Sequence, residues 1–372
     1  MRLYIHRQMA SFKILGCFVI IPFFLLNGSK LTYVFGQEEI YISGAGATFP
    51  LPLVDMWKQK FQLVDPNVII DYQPIGSGGG TRQFIQKTVD FSLTDAPLSQ
   101  EEERQLASEA VHIPVTVGSV VAAYNLPTLN ANELKLTGPI LADILMGKIT
   151  KWNHPQIQSI NSGLSLPAEE IVTVHRADSS GTTYVLSDYL SRVSSSWNQQ
   201  FGTAKSIQWP AGLKAQGNEG VANMIENTTN SIGYIELAYA LNAGMSYAPI
   251  LNMEGNFIKS SLKTTTAAVQ AASPVLPASG NSSWSNVSIV NSPGEESYPI
   301  TTFSYLLLYQ DLGNNISDEQ EAQKLVNFIS WAINEGQIFG PHIGYAPIPK
   351  EVGNLNHATL QLLSYRGVPI SQ

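Results

Sequence analysis

His175-Arg176-Ala177-Asp178-Ser179-Ser180-Gly181-Thr182-Thr183 joins the apolar run Ile171 to His175 to a stretch that carries Val185, Leu186 and Tyr189 at helical spacing. The segment therefore reads as a strand, a tight turn and a helix start. Its arginine offers a planar pair of N–H donors that can grip an oxyanion. Four residues on, a serine, a glycine and a threonine open the helix, where unpaired backbone N–H groups and the positive end of the helix dipole favour an anion. The alternative is a surface pair of Arg176 and Asp178 beside an ordinary helix cap.

Working outward, three more turns have the same character. Gly44-Ala45-Gly46-Ala47-Thr48-Phe49-Pro50 follows the strand-like run Ile40 to Ser43 and precedes a helix expected over Leu51 to Gln62. Its small residues allow close backbone approach, and Pro50 suits a first helical position. Gly76-Ser77-Gly78-Gly79-Gly80-Thr81 links the run Val68 to Tyr72 to a helix expected over Gly80 to Val89. It has neither the lysine of a Walker A loop nor the GxGxxG spacing, so nucleotide phosphates are not indicated. Thr94-Asp95-Ala96-Pro97 ends a strand at Phe91 to Leu93. Asp95 reads equally as a helix cap, since Pro97, Ser99 and Glu101 to Glu103 announce a helix start over Gln100 to Glu109. Three turns with serine or threonine, one arginine and one aspartate would together make a dehydrated cage for a tetrahedral anion.

Elsewhere, Val111 to Val117, Val120 to Tyr124, Ser231 to Tyr234 and Thr302 to Tyr309 read as strands. Helices are expected at Pro139 to Gly147, Thr182 to Val193, Glu219 to Asn227 and Asp318 to Ile333, the last closing the folded part. The alternation gives an α/β architecture. Lys259 to Ser297, rich in Ser, Thr, Ala, Asn and Pro, reads as a helix followed by long surface loops.

The chain has 372 residues, 44% of them hydrophobic and 13% charged, enough for two packed cores. Arg2, His6, Arg7 and Lys13 precede the apolar run Ile14 to Leu26, so residues 1–36 read as a secretory signal. Leu31 to Phe35 would extend that run into an uncleaved anchor. Cys17, the only cysteine, lies in this segment, so disulfide and CxxC zinc roles are excluded. Past Gly36 there remain 17 basic against 29 acidic residues. Such a surface argues against nucleic acid, and any anion must be held by local groups. Sequons stand at Asn227, Asn281, Asn286 and Asn315.

Together with GKITKWN at 147–153, GNEGVA at 217–222 and SIGYIELAYA at 231–240, these turns resemble the substrate-binding protein of the phosphate ABC transporter, from about Ile42 to Pro349. The resemblance implies a two-lobed periplasmic-binding-protein fold of type II, with a mixed sheet flanked by helices in each lobe and the ligand in the cleft. Lobe 1 would comprise 38–117 and 301–372, and lobe 2 118–300. It further implies that Thr48 and Phe49 supply backbone or hydroxyl donors, that Ser77 gives its hydroxyl and N–H, and that Asp95 accepts from the ligand. Arg176, Ser180, Gly181 and Thr182 would supply the opposing side, with Asp178 and Gly78 in support. No cofactor or metal is expected. The implied protein is an exported monomer, periplasmic or at the cell surface and tethered where the N-terminal segment is uncleaved, that hands inorganic phosphate to a membrane permease.

Two other readings use the same residues. A secreted phosphatase would take Ser180 or Ser77 as nucleophile, but it needs a base or metal. The six histidines, His6, His112, His154, His175, His342 and His357, show no metal-ligand spacing, and no GxSxG occurs. His175, next to Arg176 on a strand, should point the other way. A binding protein for sulfate or molybdate keeps the fold and changes the ligand.

Overall fold

The computed structural model describes residues 39–129 and 133–370. The expected signal or anchor at 1–36, with Cys17, lies outside them. Strand β1 (Ile40–Gly46) leads into helix α1 (Leu51–Val64), β2 (Val68–Gln73) into α2 (Ser77–Ile85) and β3 (Phe91–Thr94) into α3 (Gln100–Gln105). α1 begins where its pattern predicts and buries Leu53, Val54, Trp57 and Phe61 on one stripe, as an amphipathic helix against a sheet must. The long β4 (Ala110–Asn125) follows, then α4 (Gly138–Leu145), α5 (Pro155–Ile160), β5 (Val172–Arg176), α6 (Gly181–Val193) and α7 (Ser195–Gln200). Next come β6 (Leu213–Ala215), α8 (Gly217–Glu226), β7 (Ser231–Glu236) and α9 (Leu237–Asn242). Three short strands, β8 (Ser246–Tyr247), β9 (Ile250–Leu251) and β10 (Phe257–Ile258), precede α10 (Leu262–Ala272). The chain ends through β11 (Thr301–Tyr309), α11 (Glu319–Ile333), α12 (Lys350–Leu360) and the hairpin of β12 (Ser364–Tyr365) and β13 (Val368–Pro369).

The main sheet runs in the order β2-β1-β3-β11-β4-β7-β5-β6, with β8 also on β4. In one half, β1 pairs in parallel with β2 and β3; in the other, β5 pairs in parallel with β6 and β7. β4 joins the halves, pairing antiparallel with β11 along Ala110–Ser119 and then with β7 along Val120–Asn125. Parallel strands leave their carboxyl ends on one edge, and ligands of open α/β sheets bind there. The four turns singled out in the sequence all lie at such strand-to-helix junctions.

Five expectations are corrected. The two strands expected at Val111 to Val117 and Val120 to Tyr124 are one, because Gly118 does not break it: a β-carbon there would lie 2.4 Å from the Phe49 ring, so the glycine makes room for packing. α2 starts at Ser77 rather than Gly80, and α3 stops at Gln105 rather than Glu109. The segment after α10 is not all surface loop, since Trp284 is wholly buried against His112 and Tyr305. Nor does folding end at Ile333: α12 buries Val352, Leu355 and Leu360, and Asn356 Nδ2 donates to the Pro114 carbonyl at 2.7 Å.

Candidate functional site

The first turn is fixed by Gly46, whose φ of +144° and 2.0 Å approach of a β-carbon to the Leu93 carbonyl exclude other residues. That closeness lays β1 against β3 and delivers Thr48 and Phe49 to the carboxyl edge. Thr48 is buried, and its carbonyl accepts from Tyr239 Oη at 2.5 Å. The Phe49 side chain is core, with its carbonyl accepting from Tyr345 Oη at 2.6 Å, so only its backbone can serve a ligand. Pro50 takes the N-cap position of α1, one residue earlier than expected, and no side chain caps this helix.

In the second turn Gly76, at φ +86°, opens α2, again without a side-chain cap. The glycines that follow are explained by what faces them. A β-carbon on Gly78 would lie 2.0 Å from Ser179 Oγ, and the Gly78 N–H donates to the Ser179 carbonyl at 3.0 Å. The second and fourth turns are thus in direct backbone contact.

Asp95 does not cap a helix. Ser99 caps α3, in a capping box with Glu102. The Asp95 carboxyl is buried, accepting from Ser304 Oγ at 2.5 Å and lying 3.5 Å from Ser77 Oγ, while the Asp95 N–H donates to Ser77 Oγ at 3.3 Å. Burial pushes its pKa up to about 7, against the pull of the Ser304 hydroxyl, the Arg176 guanidinium, Ser77 and Lys205.

In the fourth turn Arg176 is buried and doubly paired with Asp178: Nε donates to Oδ1 at 2.7 Å, and Nη2 to Oδ2. Asp178 Oδ1 also accepts from the Gly217 N–H at 3.1 Å. Nη1 donates to Thr182 Oγ1 at 3.2 Å. Asp178 therefore sets the plane of the guanidinium and leaves its far edge for a second acceptor. Ser180 is the N-cap of α6, its Oγ accepting from the Thr183 N–H at 3.1 Å, so its hydroxyl hydrogen is what it can offer a ligand. Gly181 sits against the other half of the sheet: a β-carbon there would lie 2.4 Å from both Asp95 Oδ2 and Ser77 Oγ.

The structure thus brings Thr48, Ser77, Asp95, Arg176, Gly181 and Thr182 around one buried locus, with Ser180 at its helix end. His175 is engaged elsewhere, its Nε2 3.1 Å from the Ala211 carbonyl and its ring stacked on Trp209. Sequence reasoning missed three residues. Asn218 donates to both Thr48 and Thr182, Ser304 bonds Asp95, and Glu236 is a wholly buried carboxyl whose pKa burial drives well above its ordinary value, opposed by the Ala238 N–H. The signal for Ser304 was a serine between Phe303 and Tyr305 in a strand, and for Glu236 a carboxyl ending the run Ser231–Glu236.

Residues 34–335 match the PBP superfamily domain. A phosphate-binding protein PstS of Pasteurella multocida is 37% identical over 86% of this chain and 90% of its own length. The chain belongs to the PstS phosphate-binding protein family. The PstS of Methanocaldococcus jannaschii, 32% identical over 92% of each chain, extends the family to a more distant relative. The fold of the family is also that of a high-affinity periplasmic phosphate-binding protein solved with phosphate, at a TM-score of 0.66 and 19% identity over 86% of this chain and 93% of that one. A human phosphate-binding apolipoprotein shares it at 0.67 and 17%, over 89% and 100%.

Proposed function

We infer that this chain is an extracytoplasmic binding protein that captures inorganic phosphate and delivers it to an ABC importer. The observation that carries the reading is one buried carboxyl, Asp95, set among hydroxyls and opposite the Arg176 guanidinium. An anion needs the arginine, the hydroxyls and the open helix ends. The carboxyl makes sense only for an anion that carries a proton, which phosphate does near neutral pH and sulfate does not; sulfate would face an unpaired buried negative charge.

In this reading Thr48, the Phe49 backbone, Ser77 and Asp95 meet phosphate from one side, and Arg176, Ser180, Gly181 and Thr182 from the other, supported by Asp178 and Gly78. The sides belong to two lobes, 38–117 with 301–372, and 118–300. The change of partner along β4, from β11 to β7 at Ser119 and Val120, supports that division. Contacts such as Gly78 N–H to the Ser179 carbonyl and Tyr239 Oη to the Thr48 carbonyl support reading this as a closed form, with closure about the two chain crossings between the lobes as the signal to the importer's permease. The protein works as an exported monomer, and the segment at 1–36, if retained, tethers it to the outer face of the membrane. Against a phosphatase reading, Ser180 Oγ caps its own helix and His175 is held by Ala211 and Trp209, and the carboxyl beside Ser77, Asp95, is the group this reading gives to the phosphate proton.

Titration calorimetry of the phosphate-freed protein with phosphate, sulfate and molybdate tests this. Phosphate binding at least about a hundredfold tighter than sulfate is expected. Equal affinities, or a preference for sulfate or molybdate, would overturn it.

A further inference from the structure

We propose that Asn218 is a positioning residue that turns the Thr48 and Thr182 hydroxyls onto the bound anion and couples them across the cleft. The proposal rests on the reading above that both hydroxyls meet phosphate. Asn218 opens α8, is wholly buried, and no step of the anion reading has used it. Its amide orientation is forced. The Glu236 backbone N–H, which can only donate, lies 3.1 Å from Oδ1, so Oδ1 is the acceptor and Nδ2 must face the other way.

There Nδ2 finds Thr48 Oγ1 at 3.0 Å and Thr182 Oγ1 at 3.1 Å. Thr48 Oγ1 also accepts from the Asn218 backbone N–H at 3.1 Å, and Thr182 Oγ1 from Arg176 Nη1 at 3.2 Å. A hydroxyl has two acceptor sites and one donor. On each threonine both acceptor sites are filled by groups that can only donate, so each hydroxyl hydrogen is left for a third party, and an anion supplies the acceptor. A contact from Thr182 Oγ1 to Asn218 Oδ1 is longer, at 3.5 Å. One side chain thus fixes two donors that come from opposite lobes, and its own N–H helps hold the first-lobe turn against α8.

The test is a cycle of phosphate affinities on the full chain, by titration calorimetry in phosphate-freed protein. Its members are wild type, Asn218→Ala, Thr48→Val with Thr182→Val, and the combination. Asn218→Ala should weaken binding by about tenfold or more, yet by less than about threefold once both hydroxyls are gone, because its effect runs through them. Asn218→Leu, close in shape but without an amide, serves as the second variant. If the residue merely fills space, leucine restores binding to within about threefold of wild type, and the proposal fails. It fails also if Asn218→Ala costs the same factor in both backgrounds, or if neither Asn218 variant folds, which would assign the residue to the scaffold. Failure of the site reading looks different: the valine pair alone would then bind phosphate as tightly as wild type.

Discussion

The two sides of the proposed site each bury a charged side chain, and the molecule treats the two differently. On the side of β5 and α6, Arg176 is paired twice with Asp178, which is itself fixed by the Gly217 N–H. The positive group is locked by a partner of opposite charge two residues away. On the side of β1, β2 and β3 the carboxyl of Asp95 is bonded by neutral hydroxyls from Ser304 and Ser77, and burial lifts its pKa to about 7. One side is a guanidinium held in place by its ion pair. The other is an acceptor poised to trade its charge for a proton. In the proposed reading, attraction for any oxyanion resides on the first side, and the choice among oxyanions on the second.

Removing the grip should break this contrast most severely. Arg176→Ala deletes a buried charge-assisted fork and leaves Asp178 without its partner, so phosphate affinity should fall about 100- to 1000-fold. Because β5 and α6 are held by their own ladder and cap, the protein should still unfold cooperatively in urea. An affinity within a few-fold of wild type would take Arg176 out of the site, and loss of the cooperative transition would make it a structural residue instead.

The acceptor side is probed by Asp95→Asn. An amide can donate to a fully deprotonated oxyanion where the carboxylate could not, so discrimination should narrow from both directions. The ratio of phosphate to sulfate affinity, measured at one pH and one salt concentration, should drop by about tenfold. If that ratio is the same in both proteins, selectivity does not reside in Asp95, and the contrast between the two sides collapses into simple anion attraction.

The grip was far more legible in the sequence than the acceptor. An arginine, an aspartate, hydroxyls and a glycine within nine residues at a strand-to-helix junction declare their chemistry locally, and α6 begins one residue from its expected start. Asp95 stands among residues that announce a helix, and only the structure, by giving the cap to Ser99, frees it from that role. Its modifier Ser304 lies 209 residues away in β11, a separation that no local pattern bridges. Asn218 stood inside a quoted motif, yet its role depends on donor geometry that no motif states. The same holds for the fold. Gly118 looks like a strand break until Phe49 is seen to occupy the space of its missing β-carbon. α12 lies beyond the expected end of the fold at Ile333, and the buried Asn356 and Thr359 in its stripe answer to a pair of partners, the Pro114 carbonyl and the Gly280 N–H, that the sequence keeps out of sight.

The smallest expected effect tests whether Asp95 is truly poised. Its pKa rises from 3.8 to about 7 on folding, so between those values the folded protein holds a proton that the unfolded chain has released. Stability from this group must therefore fall as pH rises from about 4 to about 7, and change no further above that. Ser304 opposes the shift, since its hydroxyl can only donate to the ionised carboxylate at 2.5 Å. Ser304→Ala should raise the folded pKa further, and its cost should appear mainly where Asp95 would otherwise be ionised. Urea midpoints in phosphate-free buffer should show the variant destabilised more at about pH 8 than at about pH 5, by roughly 1 kcal/mol. An equal cost at the two values would mean that Asp95 is already ionised at about pH 5 or still protonated at about pH 8. In either case Asp95 would hold one charge state through the neutral range, as fixed as the grip it faces.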